Sequence, residues 1–212
     1  MSQPMMAQDL KSLQTVAEKS GFTTTSTSAQ VEEFIAACTS PDHVTSHVIG
    51  QTVQGRDLIC VCVSKTPWNP LEKADHPDGK NVVLLLGNIH SGECAGKEAL
   101  LQMIRELALN PDSPWLEKNI LLFLPNYSAD SNDQMGLENR PGQIGPENGM
   151  GRRNNLQRLD LNRDFMKIES PEARSLVALI DRNDPYVFVD FHTTNGSKHR
   201  YQLTYDLSLI HI

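Results

Sequence analysis

The stretch LLLGNIHSGECAGKEALLQMI, residues 84–104, joins two kinds of order. The continuous apolar run from Val82 to Leu86 reads as a buried strand, and Gly87-Asn88-Ile89 closes it. His90 and Glu93 follow, three residues apart, and a helical pattern begins almost at once, running over about 93–109 to end against Asn110-Pro111. A strand that empties directly into a helix leaves its connecting residues at the carboxyl edge of a sheet, where open α/β sheets build their sites.

The chain repeats this alternation on either side. Residues 7–19 and 29–38 have helical periodicity, the second after Ser28 as N-cap. Two β-rich runs, about 44–50 and 57–64, flank the turn residues of GQTVQGRD. NILLFL at 119–124 is another buried strand, SPEARSLVALIDR a helix capped by Ser170 with Pro171 at its first position, and YVFVDFH a strand. RYQLTY, residues 200–205, is a further strand candidate. From Pro125 to Arg158 no period is sustained, and a structureless loop that long is a functional signal. The predicted class is α/β: a mixed, partly parallel central sheet with helices on both faces. Residues 1–40 are expected as an N-terminal helical segment and 41–206 as one partial catalytic domain.

Composition narrows the function. Of 212 residues, 26 are acidic and 19 are Lys or Arg, and the net charge of −7 argues against nucleic acid or an anionic membrane as partner. No apolar run approaches the roughly 20 residues that span a bilayer. The start, MSQPMMAQ, has no basic n-region or apolar h-region, so the chain is expected in the cytoplasm by default, or secreted or periplasmic if residues precede it. Cys38, Cys60, Cys62 and Cys94 form no CxxC pair. Cys60 and Cys62 share one face of a strand and read as buried free thiols; Cys94 reads as a small residue packed at a helix start rather than a zinc ligand. LSLIHI, residues 207–212, follows without turn or cap and matches a translated frame of a common sequencing adapter. It is expected to be a non-native tail on the N-terminal part of a longer protein.

His90 and Glu93 offer an imidazole nitrogen and a carboxylate oxygen, both good zinc ligands, and a catalytic zinc needs a third. His192, which ends the strand VFVDFH before a Thr/Asn/Gly loop, occupies a topologically similar place. Upstream, GRRNNLQRLDLNRDF gathers Arg152, Arg153, Arg158 and Arg163 in an otherwise acidic chain. Guanidinium groups beside a metal suit carboxylate clamping and oxyanion stabilisation.

The combination of HSGE, GRRNNLQRLDLNRDF and DFHTT, in that order, resembles the zinc carboxypeptidase family of the carboxypeptidase A type, over about Thr45 to Tyr205. IGQTVQGRDL resembles that family's entry strands. The resemblance implies one Zn2+ per chain held by His90, Glu93 and His192, and a peptide substrate with a free C-terminus. Asn162 and Arg163 match the pair that holds the terminal carboxylate. Arg153, with Arg152 as the close alternative, matches the arginine that polarises the scissile carbonyl. Asp160 matches a carboxylate that orients a zinc-bound histidine, although a turn-capping role is equally compatible with its position.

The chain departs from that pattern at the general base, a glutamate well beyond the third ligand in the family; no glutamate lies between Thr193 and Asp206, and Glu98, Glu138, Glu147, Glu169 and Glu172 do not match it. The expectation is a peptidase parent and a fragment that keeps the ligands without the base. Two rivals share some of these features: an N-acyl amino acid hydrolase of the aspartoacylase and succinylglutamate desuccinylase branch, whose zinc motif lies nearer the N-terminus, and a catalytically dead zinc-binding module.

Overall fold

The computed structural model describes residues 7–66, 68–73 and 79–206, so the start Met1–Met6 and the expected non-native tail 207–212 lie outside it. Five strands form one sheet: β1 (Val44–Gln51), β2 (Asp57–Val63), β3 (Asn81–Gly87), β4 (Asn119–Leu124) and β5 (Val187–Phe191). Their spatial order is β1-β2-β4-β3-β5. β2 runs antiparallel to both β1 and β4, while β3 runs parallel to β4 and β5. The sheet is therefore mixed, as the alternating strand and helix signals predict.

The helices are α1 (Ala7–Ser12), α2 (Val16–Lys19), α3 (Ser28–Cys38), α4 (Cys94–Leu109), α5 (Trp115–Lys118), α6 (Ala129–Asn132) and α7 (Pro171–Asn183). On one face of the sheet, Val31, Phe34 and Ile35 of α3 and Leu100, Leu101 and Ile104 of α4 pack against Val61, Val63, Leu85, Leu121 and Phe123. On the other, Leu176 and Leu179 of α7 pack against Cys60, Cys62, Leu84, Leu86, Leu122 and Leu124. Alternate residues of each central strand thus feed separate cores, which is why β3 and β4 read as unbroken apolar runs. Burial in an apolar layer pushes the Cys62 thiol up to about 12, as suits an inert packed side chain.

Four sequence expectations differ from the structure. The N-cap of α3 is Thr27 rather than Ser28: Thr27 Oγ1 accepts from Gln30 N, and Gln30 Oε1 accepts from Thr27 N in return. The helix expected over 7–19 is two short helices, because Thr15 caps α2 in a reciprocal box: Glu18 N donates to Thr15 Oγ1 at 3.1 Å and Thr15 N donates to Glu18 Oε2 at 2.8 Å. RYQLTY forms no strand; Tyr201, Leu203 and Tyr205 are exposed, and among the described residues none of the five strands pairs with it. The loop from Pro125 carries the single turn α6, and a 3-10 turn follows at Leu161–Arg163. Among the described residues no helix is long and apolar enough to cross a membrane.

Candidate metal centre

β3 and β5 are adjacent and parallel, with Gly87 opposite Phe191. That register brings the residues beyond both strand ends side by side. After Gly87 the chain turns through Asn88, at φ 63°, and reaches His90 and then Glu93, the N-cap of α4. After Phe191 comes His192. The first turn of α4 seats directly over this junction: a Cβ on Gly96 would lie 2.6 Å from the Phe191 Cβ, so a side chain there would push α4 off the end of β5.

The donor atoms of His90, Glu93 and His192 lie within 4.8 Å of one another. His90 Nδ1 is 3.1 Å from Glu93 Oε1, and His192 Nδ1 is 2.9 Å from Glu93 Oε2. The opposite ring nitrogens are held by carboxylates: His90 Nε2 lies 2.9 Å from Asp160 Oδ1, and His192 Nε2 lies 2.8 Å from Asp190 Oδ2. Both imidazoles therefore present Nδ1 to one point, with Nε2 fixed from behind. Two such imidazoles and a carboxylate are the donor set of an open catalytic zinc site, and carboxylates on the far ring nitrogens are its usual support, so the residues present fit the ion.

The electrostatics follow from these contacts. Hydrogen bonds to Asp190 and then to Glu93 raise the His192 imidazole to about 10. Burial pushes the Glu93 carboxyl up, but hydrogen bonds from His192, His90 and the Thr193 amide outweigh it and hold it well below the usual carboxylate range. Asp160 has the same balance: burial raises it, and bonds from His90 and Arg153 bring it below its ordinary value.

The arginine-rich loop arrives alongside. Ser91 N donates to Arg152 O at 3.2 Å, which brings the loop's backbone against the HSGE turn. Arg153 donates from Nε and Nη2 to Asp160 Oδ2 at 3.2 and 2.9 Å. Asp160 also accepts from Asn162 N at 3.0 Å as N-cap of the 3-10 turn, so it both caps and touches His90. Asn162 Nδ2 lies 3.5 Å from His192 Nε2, while Arg163 is exposed and donates to Asn162 O at 2.8 Å. Cys94 is not among the converging donors, its Sγ donating instead to Ser91 O at 3.7 Å. Glu98 and Glu172 are engaged elsewhere, with Thr25 and Ser26 and with Asn155 respectively.

Three contacts were absent from the sequence expectations: Asp190 on His192, and Arg140 Nη2 at 2.7 Å and Thr193 N at 2.9 Å on Glu93. Asp190 had a signal, since an aspartate inside VFVDF shares a strand face with the residue two further on. Beside Glu93 a cavity of about 350 Å³ opens between Cys94, Gln143, Thr193 and Lys198.

Residues 31–201 match the family model described as zinc carboxypeptidase. A carboxypeptidase E of Caenorhabditis elegans is 32% identical over 136 residues, which are 61% of this chain and 27% of that protein. A carboxypeptidase Z of Mus musculus is 30% identical over 135 residues, 61% of this chain and 19% of its own length. The chain therefore spans no more than 27% of either curated relative. Among solved structures, a metallo-carboxypeptidase from Burkholderia cenocepacia superposes with a TM-score of 0.62 at 17% identity, covering 82% of this chain and 42% of that one. The carboxypeptidase A from Helicoverpa armigera also gives 0.62 at 17% identity, over 80% of this chain and 46% of its own. At these identities the likeness of the solved structures is one of fold.

Proposed function

The chain belongs to the zinc carboxypeptidase family, and from that premise we propose that its parent protein is a zinc-dependent metallocarboxypeptidase that removes residues from the free C-termini of peptides. One observation carries this reading: His90, Glu93 and His192 converge within 4.8 Å from the ends of two parallel strands, with Asp160 and Asp190 behind the two imidazoles.

In this reading those three residues hold one zinc ion. Bound there, zinc lowers the pKa of a coordinated water toward 7 and polarises a carbonyl. The remaining work belongs to side chains. Asp160 and Asp190 fix which nitrogen each imidazole offers. Arg163 and Asn162 select a free terminal carboxylate, for which a planar guanidinium is well shaped. Arg153, anchored by Asp160 yet 45% exposed, is assigned to stabilise negative charge that develops on the scissile carbonyl oxygen. We assign the general base to none of residues 7–206. Residues 41–206 are assigned to the catalytic domain and residues 1–40 to an N-terminal segment, of which α3 enters the core.

The test is hydrolysis by the parent protein of paired peptides, one with a free and one with an amidated C-terminus, beside N-acyl amino acids. Cleavage of the free peptide alone is expected. Hydrolysis of N-acyl amino acids only would contradict the reading.

A further inference from the structure

Glu93 is not oriented by its own helix. As N-cap of α4 it makes no side-chain capping bond. Its carboxylate takes four contacts: Oε1 faces His90 Nδ1 and accepts from Arg140 Nη2, while Oε2 accepts from His192 Nδ1 and from Thr193 N. A cation held by the two histidines would occupy both Nδ1 positions. That leaves Arg140 and the Thr193 amide as the donors that set the direction of Glu93.

Arg140 reaches the site from the long Asn/Gly/Pro-rich loop, 47 residues beyond Glu93. Its backbone is left-handed, at φ 58°, and its side chain is only 8% exposed. The stem lies across Gly92: a Cβ there would overlap the Arg140 Cδ, so a glycine before Glu93 is what admits the arginine. The guanidinium then continues outward, donating from Nε to Gln143 Oε1. Gln143 Nε2 in turn donates to Thr193 Oγ1 at 3.1 Å and to Thr194 O. One run of hydrogen bonds thus joins Glu93 to the two residues that follow His192.

We infer that Arg140, seated on Gly92 and coupled through Gln143 to Thr193 and Thr194, is a positioning residue that aims the Glu93 carboxylate at the metal. The inference rests on the assignment of His90, Glu93 and His192 as ligands. A buried guanidinium suits the task because its planar fork serves Glu93 and Gln143 at once, a geometry that a lysine ammonium does not reproduce. It also offsets part of the negative charge that Glu93, Asp160 and Asp190 bring to one place.

The experiment is competition for zinc between the 212-residue chain and a chromogenic chelator, with thermal melting of each variant in parallel. Arg140→Ala should weaken zinc binding by about 10- to 100-fold, the range seen when a partner of a metal ligand is removed. Arg140→Lys should recover only part of this, and Gly92→Ala, which displaces the arginine stem, should reproduce the loss. Cobalt-substituted Arg140→Ala should show a shifted visible absorption band, which a loss of stability alone would not cause. Wild-type affinity in folded Arg140→Ala would overturn the inference while leaving the ligand assignment intact. Should that variant melt below the assay temperature, Arg140→Lys decides: affinity equal to wild type overturns it. A wild-type chain that takes up no zinc overturns the ligand assignment and this inference together.

Discussion

Asp160 Oδ1 lies 2.9 Å from His90 Nε2, and the same oxygen accepts from Asn162 N at 3.0 Å as cap of the 3-10 turn. One carboxylate oxygen thus orients an imidazole and starts the turn that carries Asn162 and Arg163. The position of Asn162 and Arg163, the pair proposed to hold a terminal carboxylate, and the direction of His90 share a single side chain.

Asp160→Asn tests that coupling. The amide keeps the size of the side chain and can still cap the turn, but it loses the charge that favours an N–H at His90 Nε2. Zinc affinity measured by chelator competition should fall about 10- to 100-fold, with melting temperature little changed. Unchanged affinity would remove Asp160 from the support of the site.

Glu18 supplies a pH prediction away from the metal. Arg105 donates to both Glu18 oxygens, at 2.7 and 3.0 Å, and these bonds hold the carboxyl below its ordinary value of 4.5 against the effect of burial. A carboxylate depressed in the folded state contributes stability above its unfolded pKa and loses it as pH falls through the folded one. Glu18→Gln, which keeps an acceptor for Thr15 N, should lower stability by about 1 kcal/mol at neutral pH. The difference from wild type should shrink progressively below pH 4.5. Denaturant titrations at several pH values read this directly; a difference independent of pH would rule out the ion pair as its source.

Glu98 ties the segment before α3 to α4. Its oxygens accept from Thr25 Oγ1 at 2.8 Å, Ser26 N at 2.7 Å and Ser26 Oγ at 3.2 Å, all buried. Glu98→Ala strands these donors and should cost about 3 kcal/mol, since buried donors without partners carry their full desolvation penalty. Amide exchange at Ser26 should accelerate in the variant. Protection equal to wild type would show that the segment is held by other contacts.

The sequence reading succeeded where side chains report on their immediate surroundings. Val82–Leu86 and NILLFL are apolar on both strand faces because each face meets a separate core, and Ser170-Pro171 starts α7 by a local cap. It failed where a local pattern lacks a tertiary partner, as at RYQLTY, or where a cap divides a periodic run, as at Thr15. In the site, the convergence of His90, Glu93 and His192 was legible because each is a metal-binding residue type placed at or just beyond the end of a strand. Arg140 was not legible. Its contact with Glu93 depends on the path of a loop with no period and on the room left by Gly92, neither of which a residue type announces.

If His90, Glu93 and His192 form one zinc site, the metal content of the purified protein reports it. Purified chain, dialysed after exposure to zinc, should retain about one equivalent by elemental analysis, and His192→Ala of equal helicity should retain little, because three protein ligands are the minimum such sites employ. Equal zinc in the two proteins would contradict the account.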